Sequence, residues 1–137
     1  MEQNIEARCI IQIAGKPKEH VDKALHKVLE TLNEEKTKFK ILESELVESD
    51  LDEKTRLFAG FIEMLIKFKN VNEILLFITN YTPTSIIIES PRNLKIDSQE
   101  FTGILNDVSN MILKSQMDIR KLNAHIYSLQ KQLDSKK

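Results

Sequence analysis

The chain has 137 residues and a mass of 15.9 kDa, one ordinary domain in length with room for an appendage. Apolar residues make up 41% and charged residues 30%, which excludes disorder by composition, and no apolar run approaches the roughly 20 residues that span a bilayer. Lys plus Arg number 20 against 21 Asp plus Glu, so the overall basicity of a dedicated nucleic-acid binder is missing, and a single Cys excludes a disulfide framework or an all-Cys metal site.

The acidic, polar opening Met1-Glu2-Gln3-Asn4-Ile5-Glu6 does not resemble a secretory leader, so a cytoplasmic protein is expected. Ile5, Ala7, Cys9, Ile11 and Ile13 then alternate with Glu6, Arg8, Ile10 and Gln12, the period-2 pattern of a strand with one buried face. Gly15-Lys16-Pro17 breaks it. Val21, Ala24, Leu25, Val28 and Leu32 follow at helical spacing and predict an amphipathic helix to about Asn33.

A lysine-rich turn leads into Phe39–Glu48, where apolar and acidic residues mix; a strand bulged near Ile41-Leu42 is expected, followed by a turn over Ser49–Thr55. Leu57–Phe68 is the most apolar strand candidate. Asn70 with Glu73 three residues on is a capping pair for a second helix whose buried stripe reads Ile74, Leu75, Ile78 and Tyr81. Thr82-Pro83 ends that helix, and Ser85–Glu89 reads as a short strand.

The order β-α-β-β-α-β predicts an α+β, ferredoxin-like domain over residues 1–95, with an antiparallel sheet in the order 4-1-3-2. That order places the two longest apolar strands at the centre and the acidic second strand on an edge.

Residues 96–137 read as one long helix with Ser98 as its N-cap. Phe101, Leu105, Val108, Ile112, Ser115, Ile119, Leu122, Ile126, Leu129 and Leu133 recur at steps of four and three, a heptad pattern with one polar exception. The a positions are Leu105, Ile112, Ile119, Ile126 and Leu133; the d positions are the other five. Leu105, Ile112, Ile119, Leu122, Ile126, Leu129 and Leu133 are the expected oligomer interface. Isoleucine at a with leucine at d favours a parallel pair. The stripe is broad before residue 114, where Ile104, Met111 and Leu113 widen it, and narrow after residue 118. The first half is therefore expected to dock on the domain and the second to project as a coiled coil.

Two helices cover one face of such a sheet. Ile10, Leu57, Ala59, Phe61 and Leu65 make the other face apolar, shared with Glu6, Arg8, Gln12, Glu63 and Lys67, and a cross-strand Arg8–Glu63 ion pair is expected there. No residues offer convincing catalysis. His20, His26 and His125 lack ligand-spaced partners, Cys9 lies on an inward face, and Gly15-Lys16-Pro17-Lys18 lacks the glycine spacing of a phosphate loop. No cofactor or metal is expected.

Charge is uneven along the chain. Residues 43–53 carry six carboxylates and no cation, whereas residues 114–137 carry six Lys/Arg against Asp118 and Asp134. Lys114, Arg120, Lys121 and Lys131 could contact an acidic partner.

The stretch Tyr81-Thr82-Pro83-Thr84-Ser85-Ile86-Ile87-Ile88-Glu89-Ser90-Pro91, followed by a long helix, resembles a group of uncharacterised small archaeal proteins with a ferredoxin-like domain and a C-terminal coiled coil. The resemblance spans nearly the whole chain and implies no activity and no site.

The function expected is a non-enzymatic oligomerisation or protein-interaction module. It would homodimerise through the C-terminal helix, with the open sheet face as a further contact, and would leave membranes alone. Two other classes stay open. One is a nucleic-acid- or ribosome-associated factor using the basic end of the coil; the other is a regulatory domain holding a small ligand between subunits.

Overall fold

The computed structural model describes residues 3–35 and 39–136, so the lysine-rich turn at 36–38 and the first two residues of the acidic opening lie outside the described residues. The elements are β1 (Ile5–Gly15), α1 (Lys18–Glu34), β2 (Lys40–Asp52), β3 (Leu57–Phe68), α2 (Val71–Tyr81), β4 (Ser85–Ser90) and α3 (Ser98–Ser135). The sheet runs β2-β3-β1-β4 with every neighbour antiparallel, which is 4-1-3-2 read from the other edge. The protein is thus α+β with the ferredoxin-like strand order, followed by a long helix. The chain divides into two units, Met1–Leu94 and Lys95–Lys137.

In the first unit the strict alternation of β1 and β3 decides which side chains form the core. Ile5, Ala7, Cys9 and Ile11 on β1 and Ile62, Met64, Ile66 and Phe68 on β3 are buried beneath Val21, Leu25 and Leu32 of α1. At one end Phe39, Phe68 and Phe77 meet edge to face with centroids 5.6–5.9 Å apart, and Tyr81 closes the cluster. The Tyr81 hydroxyl donates to Glu35 Oε2 at 2.6 Å, linking the ends of the two helices; burial first, then Glu35, pushes its pKa up to about 12.

Several sequence expectations are corrected. The buried residues of α2 are Ile74 and Phe77; Phe77 is missing from the predicted stripe, where Leu75, Ile78 and Tyr81 are only part-buried. The turn expected over Ser49–Thr55 is mostly strand: β2 pairs with β3 as far as Asp52↔Leu57, and only the short stretch between them turns. Ser49, read as a polar turn residue, is buried. The N-cap of α3 is Asp97, whose Oδ1 accepts from the Glu100 N–H at 2.7 Å, leaving Ser98 as the first helical residue.

Other local readings hold. The bulge falls between Ile41 and Glu43. Asn70 Oδ1 accepts from the Glu73 N–H at 2.9 Å, while the Glu73 carboxylate faces the Lys69 N–H at 3.3–3.4 Å.

Candidate functional site

Two surfaces carry the sequence-predicted residues: the sheet face turned away from α1 and α2, and the heptad stripe of α3. Their geometry follows from register.

On the sheet, the pairing sets the open face out in rows. Val47, Phe61 and Gln12 form one row, Glu45, Glu63, Ile10 and Ser85 the next, and Glu43, Leu65, Arg8 and Ile87 the third. Leu57 and Ala59 extend the β3 column towards the β2–β3 turn. The predicted residues Ile10, Leu57, Ala59, Phe61 and Leu65 therefore do share this face and are all at least part-exposed. They do not form an unbroken apolar patch, because Ile10 stands beside Glu63 and Leu65 stands between Glu43 and Arg8.

The polar half converges on Arg8. Its Nε donates to Glu89 Oε1 at 2.7 Å, and its two terminal nitrogens lie 3.7 Å from Glu63 Oε1 and from Glu43 Oε2. The hydrogen bond to Glu89 contributes most to holding the guanidinium pKa above its ordinary value. Glu45 sits directly across from Glu63, a like-charge pair that costs stability unless a cation stands close by. One arginine thus gathers carboxylates from all three other strands.

The sequence reading found the Arg8–Glu63 pair but not Glu43, Glu45 or Glu89. Their placement depends on the bulge at Ile41/Glu43 and on a second register shift at Glu6/Ala7, neither of which alternation alone fixes. The hollow lined by Arg8, Glu43, Ser44, Glu45 and Glu63 holds about 190 Å³, below the roughly 300 Å³ of the smallest usual ligand pockets.

The other candidate groups do not converge. Lys18, one of the two lysines of the Gly15–Lys18 segment, donates to Asp22 Oδ2 at 2.7 Å and lies 3.9 Å from Glu48. Asp22 in turn accepts from the Ser49 N–H at 2.7 Å, and these bonds, Lys18 first, hold its pKa down to about 2. Cys9 is fully buried, and burial pushes its thiol up to about 12. His20, His26 and His125 are exposed, with His26 Nε2 3.5 Å from Glu48. Among the described residues no group of three or more His, Cys, Asp or Glu could hold a metal ion.

The second surface is α3. At 38 residues it is about 57 Å long. Every residue from Ile112 to Lys136 is exposed, including Ile112, Ile119, Leu122, Ile126, Leu129 and Leu133 of the seam; Leu105 is exposed as well. Lys114, Arg120, Lys121 and Lys131 occupy c, b, c and f positions, away from the seam, and the Lys131 ammonium lies 6.0 Å from the centroid of the Tyr127 ring. No helix is long and apolar enough to cross a membrane among the described residues.

Residues 6–137 match the model of the MJ0538 family, so the chain belongs to that family, which is named after an archaeal protein. Neither the curated proteins nor the solved structures include a match.

Proposed function

We propose that this member of the MJ0538 family is a non-enzymatic self-association and protein-interaction module that dimerises through the seam of α3, with the open sheet face as a second contact surface. The observation that carries the reading is the exposed row Leu105, Ile112, Ile119, Leu122, Ile126, Leu129 and Leu133 on one helix stripe. Fully burying a side chain of this size contributes about 1.5–3 kcal/mol, so half-burying seven on each of two helices supplies roughly 10–20 kcal/mol, against an association cost of about 4–15 kcal/mol. An unpartnered stripe of this length is also a large sticky surface in water.

Support for a non-enzymatic role comes from the groups that could have carried chemistry. Cys9 is inaccessible, Lys18 and Asp22 are bonded to each other, and the Arg8 cluster is a set of ion pairs over a small hollow. The test is the sedimentation of the wild-type chain beside the double variant Ile119→Asp, Ile126→Asp. A dimer that becomes a folded monomer supports the proposal; a wild-type monomer at tens of micromolar overturns it.

A further inference from the structure

We infer that the α3 helices of two copies pair antiparallel, in a register whose two-fold axis passes between Arg120 and Lys121; this rests on the self-association proposed above. The core alone favours parallel strands. The flanking positions point the other way. At the e and g positions between residues 101 and 133 the helix carries Thr102, Ile104, Ser109, Met111, Gln116, Asp118, Asn123, His125, Gln130 and Gln132. Asp118 and His125 are the only ionisable residues in that set, and both are g positions.

In a parallel pair each g residue meets an e residue of the next heptad, so Asp118 would face Asn123 and His125 would face Gln130. No complementary charge meets. Ser115 would also face its own twin in the core, and the basic ends would lie side by side.

An antiparallel pair sets g against g. With the axis between residues 120 and 121, Ile119 packs on Leu122, Ile112 on Leu129, Ser115 on Ile126 and Val108 on Leu133 of the second copy. Asp118 then faces His125 of the second copy, and by symmetry the contact forms twice. The two Ser115 hydroxyls separate into different layers, each opposite an isoleucine. The pairing runs from Leu105 to Lys136, so nearly the whole exposed stretch is covered.

The same two residues choose this register over its neighbours. A slip of one heptad towards the N-terminus sets Asp118 against Asp118. A slip the other way sets His125 against His125. Only the centred register joins unlike groups.

A spin label on Lys131→Cys, in a Cys9→Ala background, reads the arrangement directly. The centred antiparallel register offsets the two labels by about 32 Å along the axis, the two slipped registers by about 42 and 21 Å, and a parallel pair not at all. Position 131 faces away from the seam, so the helix separation and the two helix radii add roughly 21 Å across the pair, and a distance near 38 Å is expected. A distance of about 25 Å or less in a dimer shows parallel helices and overturns the inference while the self-association reading stands. A monomer in sedimentation, with no dipolar coupling, overturns both. A companion swap, Asp118→His with His125→Asp, is expected to keep the wild-type affinity and distance, whereas Asp118→Asn alone weakens association roughly fivefold at pH 6. Equal loss from the swap and the single change contradicts the register.

Discussion

Arg8 on β1 and Glu89 on the edge strand β4 share a hydrogen bond of 2.7 Å, the shortest of the three contacts by which that arginine gathers carboxylates from β2, β3 and β4. Arg8→Gln keeps a polar side chain on the same apolar stem but removes the guanidinium and its charge, leaving Glu43, Glu45, Glu63 and Glu89 to repel one another. Thermal unfolding at low salt is expected to fall, and added salt to recover much of the loss by screening the carboxylates. A drop in Tm that is the same at 20 mM and 500 mM salt would show that packing, not charge, is what Arg8 supplies.

Gly60 lies on β3 facing α1, alongside the register shift of β2 between Val47 and Asp50. A Cβ at this position would stand 2.6 Å from Leu25 Cδ1, 2.8 Å from the Val47 carbonyl oxygen and 2.9 Å from the Ser49 nitrogen. Two of the three obstacles are backbone, so the strain cannot be relieved by a rotamer change. Gly60→Ala is expected to destabilise the domain by about 1–3 kcal/mol in chemical denaturation. An unchanged midpoint would mean that β2 shifts away from Gly60 at little cost.

Gly103 contrasts with it. A Cβ there meets nothing within 4 Å, and the residue sits inside α3 with no positive φ. Gly103→Ala is expected to stabilise the helix by about 0.5–1 kcal/mol, measurable as a rise in helical melting temperature by circular dichroism. Destabilisation would indicate that something packs against this position in solution.

Asp22 ties α1 to β2 through Lys18 and the Ser49 N–H, and its pKa is held down to about 2. A carboxyl depressed in the folded state stabilises fully above its unfolded value near 3.9, and that contribution disappears as pH falls from there to about 2. Asp22→Asn is therefore expected to flatten the acid limb of the stability curve over that window while lowering stability at neutral pH. A variant whose acid unfolding runs parallel to wild type would exclude Asp22 as a source of the limb.

Most of the fold could be read from local pattern because the rules that set it are local. Alternation in β1 and β3 gave the central strands, and Asn70 with Glu73 gave the start of α2. What escaped depended on partners distant in sequence. Phe77 is buried because Phe39 and Phe68 wait for it, and β2 extends through Ser49 because Asp22 satisfies the Ser49 N–H. The Arg8 cluster combines the bulge near Ile41, which the mixed pattern of that strand signals, with a register shift at Glu6/Ala7 that only strand pairing reveals. The heptads of α3 were plain throughout, since a period of 3.5 is itself the signal.

In the proposed dimer, α3 holds two copies together through Ile119, Ile126 and their neighbours. Sedimentation equilibrium at tens of micromolar tests it most directly, comparing the wild-type chain with the Ile119→Asp, Ile126→Asp variant. Self-association predicts about 32 kDa for the wild type, twice the 15.9 kDa chain, and a folded species of single-chain mass for the variant. A wild-type mass equal to one chain, or a variant that stays dimeric, would contradict it.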